Sequence, residues 1–259
     1  MVISGFHNMA LKNLIFLFAL IGLLINKSKV YGYENKVDSI FFHIYNQQFD
    51  KAENELAYSK QKLKPLEYNL LTTDLFWWKA ISSNKENDFK ILESYLSKKL
   101  STSEKSSFGN NLNDLIYLNY SLRLMSINSQ SLKMLKYFIR INKFIDSFDN
   151  SNLSIEEQNI FEIYKAIFNF SKSKLFFTGT QFKNDNIKIL KKHLRSSNLL
   201  NKTIACYFLA KIYSEIEKLP EQAVEYYSKL CQLYPNNMIF KNELLSVQLK
   251  TKKCRLATN

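Results

Sequence analysis

Glycine and proline are scarce: the 259-residue chain holds five of the first and three of the second. Gly5, Gly22 and Gly32 fall within the first 32 residues, leaving Gly109 and Gly179 for the rest. Sheet proteins need frequent turns at positive φ, which glycine mostly supplies. A chain this poor in glycine and rich in Leu, Ile, Lys, Glu and Asn is far more easily built from helices. Cysteine is scarce too. Cys206, Cys231 and Cys254 are too few and too far apart for a zinc site or a disulfide scaffold. Cys206 and Cys231 would sit at similar heights on facing helices. They read either as a bridge in an oxidising compartment or as two small buried apolar side chains.

Catalytic motifs are missing as well. His7, His43 and His193 are isolated, and there is no H-E-x-x-H, G-x-S-x-G, P-loop or C-x-x-C. No RNP, KH or zinc-finger spacing occurs, so nucleic acid is not an expected partner. The expectation is a non-enzyme without cofactor, metal or catalytic residue. Hydrolysis by two carboxylates in a cleft stays open, because it leaves no short motif.

What the chain does contain begins with Leu14 to Ile25, twelve apolar residues in a row, preceded by Lys12 and followed by Asn26-Lys27-Ser28-Lys29. A spanning helix needs about 20 apolar residues, so this run fits the core of a signal peptide. Val30-Tyr31-Gly32 is a candidate cleavage site, and Met9 opens a more usual leader. Two lysines after the run are unusual for an exported segment. The alternative is therefore an uncleaved inner-membrane anchor at residues 14–25. Residues 1–32 are set apart as signal or anchor, and the expected location is the periplasm or cell envelope.

From residue 33 to 250 the pattern is helical. Ile40, Phe41, Ile44 and Tyr45 make a first apolar stripe, Asn46-Gln47-Gln48 a turn, and Asp50 with Glu53 a capping box for the next helix. Leu66 to Ile81 is apolar over so wide an arc that it must be covered on more than one side, as an inner helix would be. Trp77-Trp78 within it reads as core, or as a platform for stacking sugars. Residues 101–113 are a polar break and a candidate subdomain boundary. Met134, Phe138, Ile141, Ile145 and Phe148 then mark an amphipathic helix. Lys133, Lys136, Arg140 and Lys143 form a basic stripe on another of its faces. Ser154 and Glu157 form a second capping box. Lys188, Lys191, Lys192 and Arg195 cluster on a shorter helix. The net charge is +13, which suits a soluble lysine-rich surface or an anionic envelope partner. Residues 251–259 read as a basic flexible tail.

Thr203 to Asn237 is the most regular stretch. It resembles one tetratricopeptide repeat: Ala210 and Tyr213 stand at the small and aromatic positions of the first helix, Ala223 and Tyr227 at those of the second, and Pro235 at the closing proline. Tyr213 to Ala223 is one residue longer than usual, and Leu230 replaces a small residue. Phe49-x-x-Ala52 with Pro65 is a partial second match. The whole is similar to poorly characterised exported repeat proteins of Bacteroidota. The resemblance implies an all-α solenoid of about five stacked antiparallel helix pairs with a C-terminal capping helix, whose marker residues pack and whose concave surface binds a protein or peptide. The expected function is a non-enzymatic interaction module of the cell envelope. The alternative is a glycan-binding or glycan-processing protein using exposed aromatics and basic helix faces. The basic stripes at Lys133, Lys136, Arg140 and Lys143 and at Lys188, Lys191 and Arg195 are the expected places for a partner.

Overall fold

The computed structural model describes residues 36–106, 111–175 and 180–257. The expected signal or anchor segment lies outside them. Among the described residues there are eleven α-helices and no strand, and residues 35–259 form one compact unit. No described helix is long and apolar enough to cross a membrane.

Ten helices make five consecutive pairs: α1 Lys36–Tyr45 with α2 Phe49–Ser59, α3 Pro65–Ser83 with α4 Glu86–Ser106, α5 Leu112–Ile127 with α6 Ser131–Ser147, α7 Ile155–Leu175 with α8 Thr180–His193, and α9 Leu199–Lys211 with α10 Pro220–Leu233. The expected terminal helix follows as α11, Met238–Ala257, packed on α10. The first helices of successive pairs also pack side by side, α1 on α3, α3 on α5, α5 on α7 and α7 on α9. This explains their composition. From Leu112 to Ser121 every residue of α5 is buried, and α3 buries Thr73 and Asp74 along with its leucines and tryptophans. The second helices are amphipathic, with one face on the row and one in solvent.

The row also curls back on itself, since α9 touches α1. The turn before α11 is bonded to the turn after α1: Asn237 Nδ2 donates to the Tyr45 carbonyl at 2.7 Å, and the Asn236 and Met238 amides donate to the side chains of Asn46 and Gln47, each at 3.2 Å. Tyr45, Trp78, Tyr207, Tyr234 and Phe240 fill this seam with rings 5.0 to 6.2 Å apart. The stack is as expected, and in addition its last pair meets its first.

Three local readings change. Asp50 and Glu53 form no capping box, because α2 already begins at Phe49 and makes no side-chain cap bond; Glu53 instead pairs with Lys79 of α3 at 2.6 Å. The Ser154–Glu157 box does form, with the Ser154 amide donating to Glu157 Oε2 at 2.9 Å. Most of the 101–113 break is helix, since α4 runs to Ser106 and α5 opens at Leu112 behind the Asn111 cap. Helix α11 continues to Ala257, well into the stretch read as a tail. Cys206 and Cys231 are unbridged; the buried Cys206 thiol donates to the Tyr226 carbonyl at 3.4 Å.

Candidate functional site

Five of the six repeat markers are buried. Ala52, Ala210, Ala223 and Tyr227 are fully buried, and Tyr213 stacks on Tyr226 with ring centroids 5.6 Å apart. Pro235 is exposed in the turn that leads into α11. The connection between the two helices of this last pair is irregular. After Lys211 the helix widens into a π turn, Ile212–Ile216, closed by the Glu217 amide on the Ile212 carbonyl at 2.8 Å. A π turn absorbs one additional residue without ending a helix.

The basic stripes occupy two different outer helices, α6 and α8. On α8, Lys188 faces Asp185 at 3.5 Å and Lys191 lies 5.9 Å from the Tyr213 ring. Lys192 and His193 both bond Glu162 of α7, at 2.9 and 3.1 Å. Burial holds His193 below its ordinary pKa against the pull of Glu162. Arg195 is exposed beyond the end of α8. Of this cluster, Lys192 is committed to holding its own pair together.

Helix α6 differs. Phe138 and Ile141 of the expected seam are buried, and Lys133, Lys136 and Lys143 are exposed. Between these lysines stand three large aliphatic side chains that the sequence reading passed over: Leu132, Leu135 and Ile139, 86, 54 and 58 % exposed. Their spacing of three and four residues puts them on one face. Leu135 and Ile139, with Phe138, Asn142, Lys143 and Lys172, line a groove of about 530 Å³ on this side of α6. Lys133 makes a long ion pair with Glu93 of α4 at 3.7 Å, and Lys172 donates to Asn142 Oδ1 at 2.5 Å.

Trp77 and Trp78 are buried, so neither offers the exposed platform of the glycan reading. They sit on α3 where it faces the inside of the curl, and Trp77 is part of the wall of an inner cavity of about 460 Å³. Its walls come from α3, α5, α7, α9 with the π turn, and the start of α11. The Arg123 guanidinium lies on the Trp77 ring at 3.9 Å, with Tyr120, Phe208 and Tyr207 rings at 5.0, 5.3 and 5.8 Å. Behind it Tyr120 donates a short hydrogen bond to the buried carboxylate of Asp74. Burial pushes the Asp74 pKa up to about 7, against the Tyr120 bond and the Arg123 charge. At the cavity edge Lys211 bonds both Glu215 and Glu243, at 2.7 and 2.8 Å. Burial opposes its charge, but Tyr207, Tyr227 and Glu215 outweigh that and hold its pKa above the usual value.

Among the described residues no three His, Cys, Asp or Glu side chains gather as a metal site would. No protein-family model, curated protein or solved structure matches the chain.

Proposed function

We propose that the protein is a non-enzymatic interaction module of the cell envelope, built from tetratricopeptide-like helix pairs, which docks an acidic, amphipathic segment of a partner protein on α6. The observation that carries this reading is the set Leu132, Leu135 and Ile139, large aliphatic side chains held in solvent and interleaved with Lys133, Lys136 and Lys143. Exposed aliphatics at helical spacing mark an unpartnered surface, and their groove suits the apolar face of a partner helix. The surrounding lysines favour an acidic rim on that partner and would speed its approach. The buried Ala210 and Ala223 support the repeat reading. The apolar run at residues 14–25 supports export.

The test is site-specific photo-crosslinking in cells, with a crosslinker at Leu135 and a control at the exposed Gln232 of α10. One partner protein should be captured from Leu135 and not from Gln232, and Lys136→Glu/Lys143→Glu should abolish the capture. Capture of lipid alone, or of the same protein from both positions, would show the reading to be wrong. Release of the leader is checked separately, by the mass of the mature chain, which should correspond to cleavage after Gly32.

A further inference from the structure

We propose that the inner cavity is a binding site for a small monocarboxylic acid with an apolar or aromatic body, whose carboxylate pairs with Arg123. The site is separate from the α6 surface and does not depend on it.

Two cations on this cavity are partnered unequally. Lys211 has two carboxylates within 2.8 Å. Arg123, on the same cavity, has aromatic rings around it but no ion pair and no hydrogen bond among the described residues. A guanidinium carries five N–H donors in a fixed plane. Arg123 is half-buried, so these donors face the open cavity without a protein acceptor, and a ligand that displaces the water there must supply one. Asp74, whose carboxyl feels the Arg123 charge, accepts from Tyr120 through Oδ1 and makes no ion pair with Arg123. With its face resting on Trp77, Arg123 keeps its edge for a planar acceptor, and a carboxylate matches that edge with two parallel bonds.

The remaining walls set the rest of the ligand. Trp77, Ile167, Phe168, Phe170, Tyr207 and Phe208 are apolar or aromatic, and about 460 Å³ falls within the range of small-molecule sites. Glu215 and Glu243 disfavour a multiply charged anion. A phosphate monoester, with up to two negative charges near neutral pH, fits less well than a carboxylate. The π turn at Ile212–Ile216 forms part of the wall, and such turns recur at functional sites.

Trp77 and Trp78 are the only tryptophans in the chain, so intrinsic fluorescence reports on this wall. The experiment is a titration of the purified protein with octanoate and with 4-phenylbutyrate, followed by Trp emission and by calorimetry. The uncharged probes are 1-octanol and 4-phenylbutanol. At least one acid should give saturable binding, and its alcohol should bind about tenfold more weakly or worse, the loss expected for a hydrogen bond to a charged group. Arg123→Met should weaken the acid by a similar factor with an unchanged circular dichroism spectrum. Should Arg123→Met fail to fold, Ser126→Phe, which fills the exposed side of the cavity and leaves Arg123 in place, should abolish binding. Equal affinity for acid and alcohol, full binding by Arg123→Met or Ser126→Phe, or no saturable response to either acid at millimolar concentration would each overturn the proposal.

Discussion

Asp74 shows how little a residue's type says about its surroundings when read alone. In the sequence it is one of two acids, with Glu67, in a strongly apolar helix, and nothing local marks it out. The structure buries it fully, because α3 packs against α1, α2, α4 and α5. Its pKa of about 7 has a consequence for folding. An aspartate in the unfolded chain titrates near pH 4. Between about pH 4 and 7 the folded chain therefore holds a proton that the unfolded chain has released. Stability falls as pH rises through that window and is flat above it. Each pK unit is worth about 1.4 kcal/mol, so the total is a few kcal/mol at most. Asp74→Asn keeps the acceptor for Tyr120 and removes the titration. Urea unfolding at several pH values should show a shallower decline between pH 4 and 7 in the variant than in the parent. An identical pH profile would mean that Asp74 is ionised throughout. Arg123 was missed for the same reason as Asp74. Its role depends on Trp77, 46 positions away, where the sequence reading considered only core packing or a sugar platform.

At the scale of the helix pair the sequence was far more legible. The five pairs, the terminal helix and the buried alanines follow from local periodicity and spacing, which neighbouring residues set. The scarcity of glycine, which pointed to helices, leaves a question about their turns. Four turns place a non-glycine residue at positive φ: Gln47, Asn84, Ser129 and Lys218. At two of them the full Schellman pattern is present. The Gln48 amide bonds the His43 carbonyl and Gln47 that of Ile44; the Gln130 amide bonds the Met125 carbonyl and Ser129 that of Ser126. Glycine is the usual residue at this position because an L-side chain there costs about 1 kcal/mol or more. Ser129 is exposed and makes no side-chain bond. Ser129→Gly should therefore raise stability by up to about 1 kcal/mol, seen as a higher urea midpoint with an unchanged slope. Gln47→Gly should show no such gain, because Gln47 also bonds Ser82 at 3.0 Å and accepts from the Met238 amide at 3.2 Å. An equal gain at both positions would mean that the contacts of Gln47 contribute nothing.

The closure of the row belongs to the whole molecule, and nothing local in the sequence announces it. Asn237 reads as the second residue after a closing proline, and its partner, Tyr45, lies 192 positions away. In the structure Asn237 is fully buried and does two jobs. Its Oδ1 accepts from the Phe240 amide at 3.0 Å and caps α11, while its Nδ2 donates to the Tyr45 carbonyl. The two can be separated. Asn237→Ala loses both and should cost about 2 to 3 kcal/mol, one part for the cap and one for the carbonyl left unpaired. Asn237→Ser keeps an oxygen able to cap α11 but cannot reach Tyr45. If the closure holds the first pair in place, the Ser variant should still lose stability, and the loss should be uneven. Amides of α1 and α2 should exchange faster in hydrogen-exchange measurements, while those of α5 and α7 keep their protection. That pattern follows because α1 is held by α2 and α3 and then only by the seam with α9 and the α11 turn, whereas α5 and α7 have neighbours on both sides in the row. Uniform protection in Asn237→Ser would mean that the pairs stack stably without the closure, and that the first and last pairs meet without supporting one another.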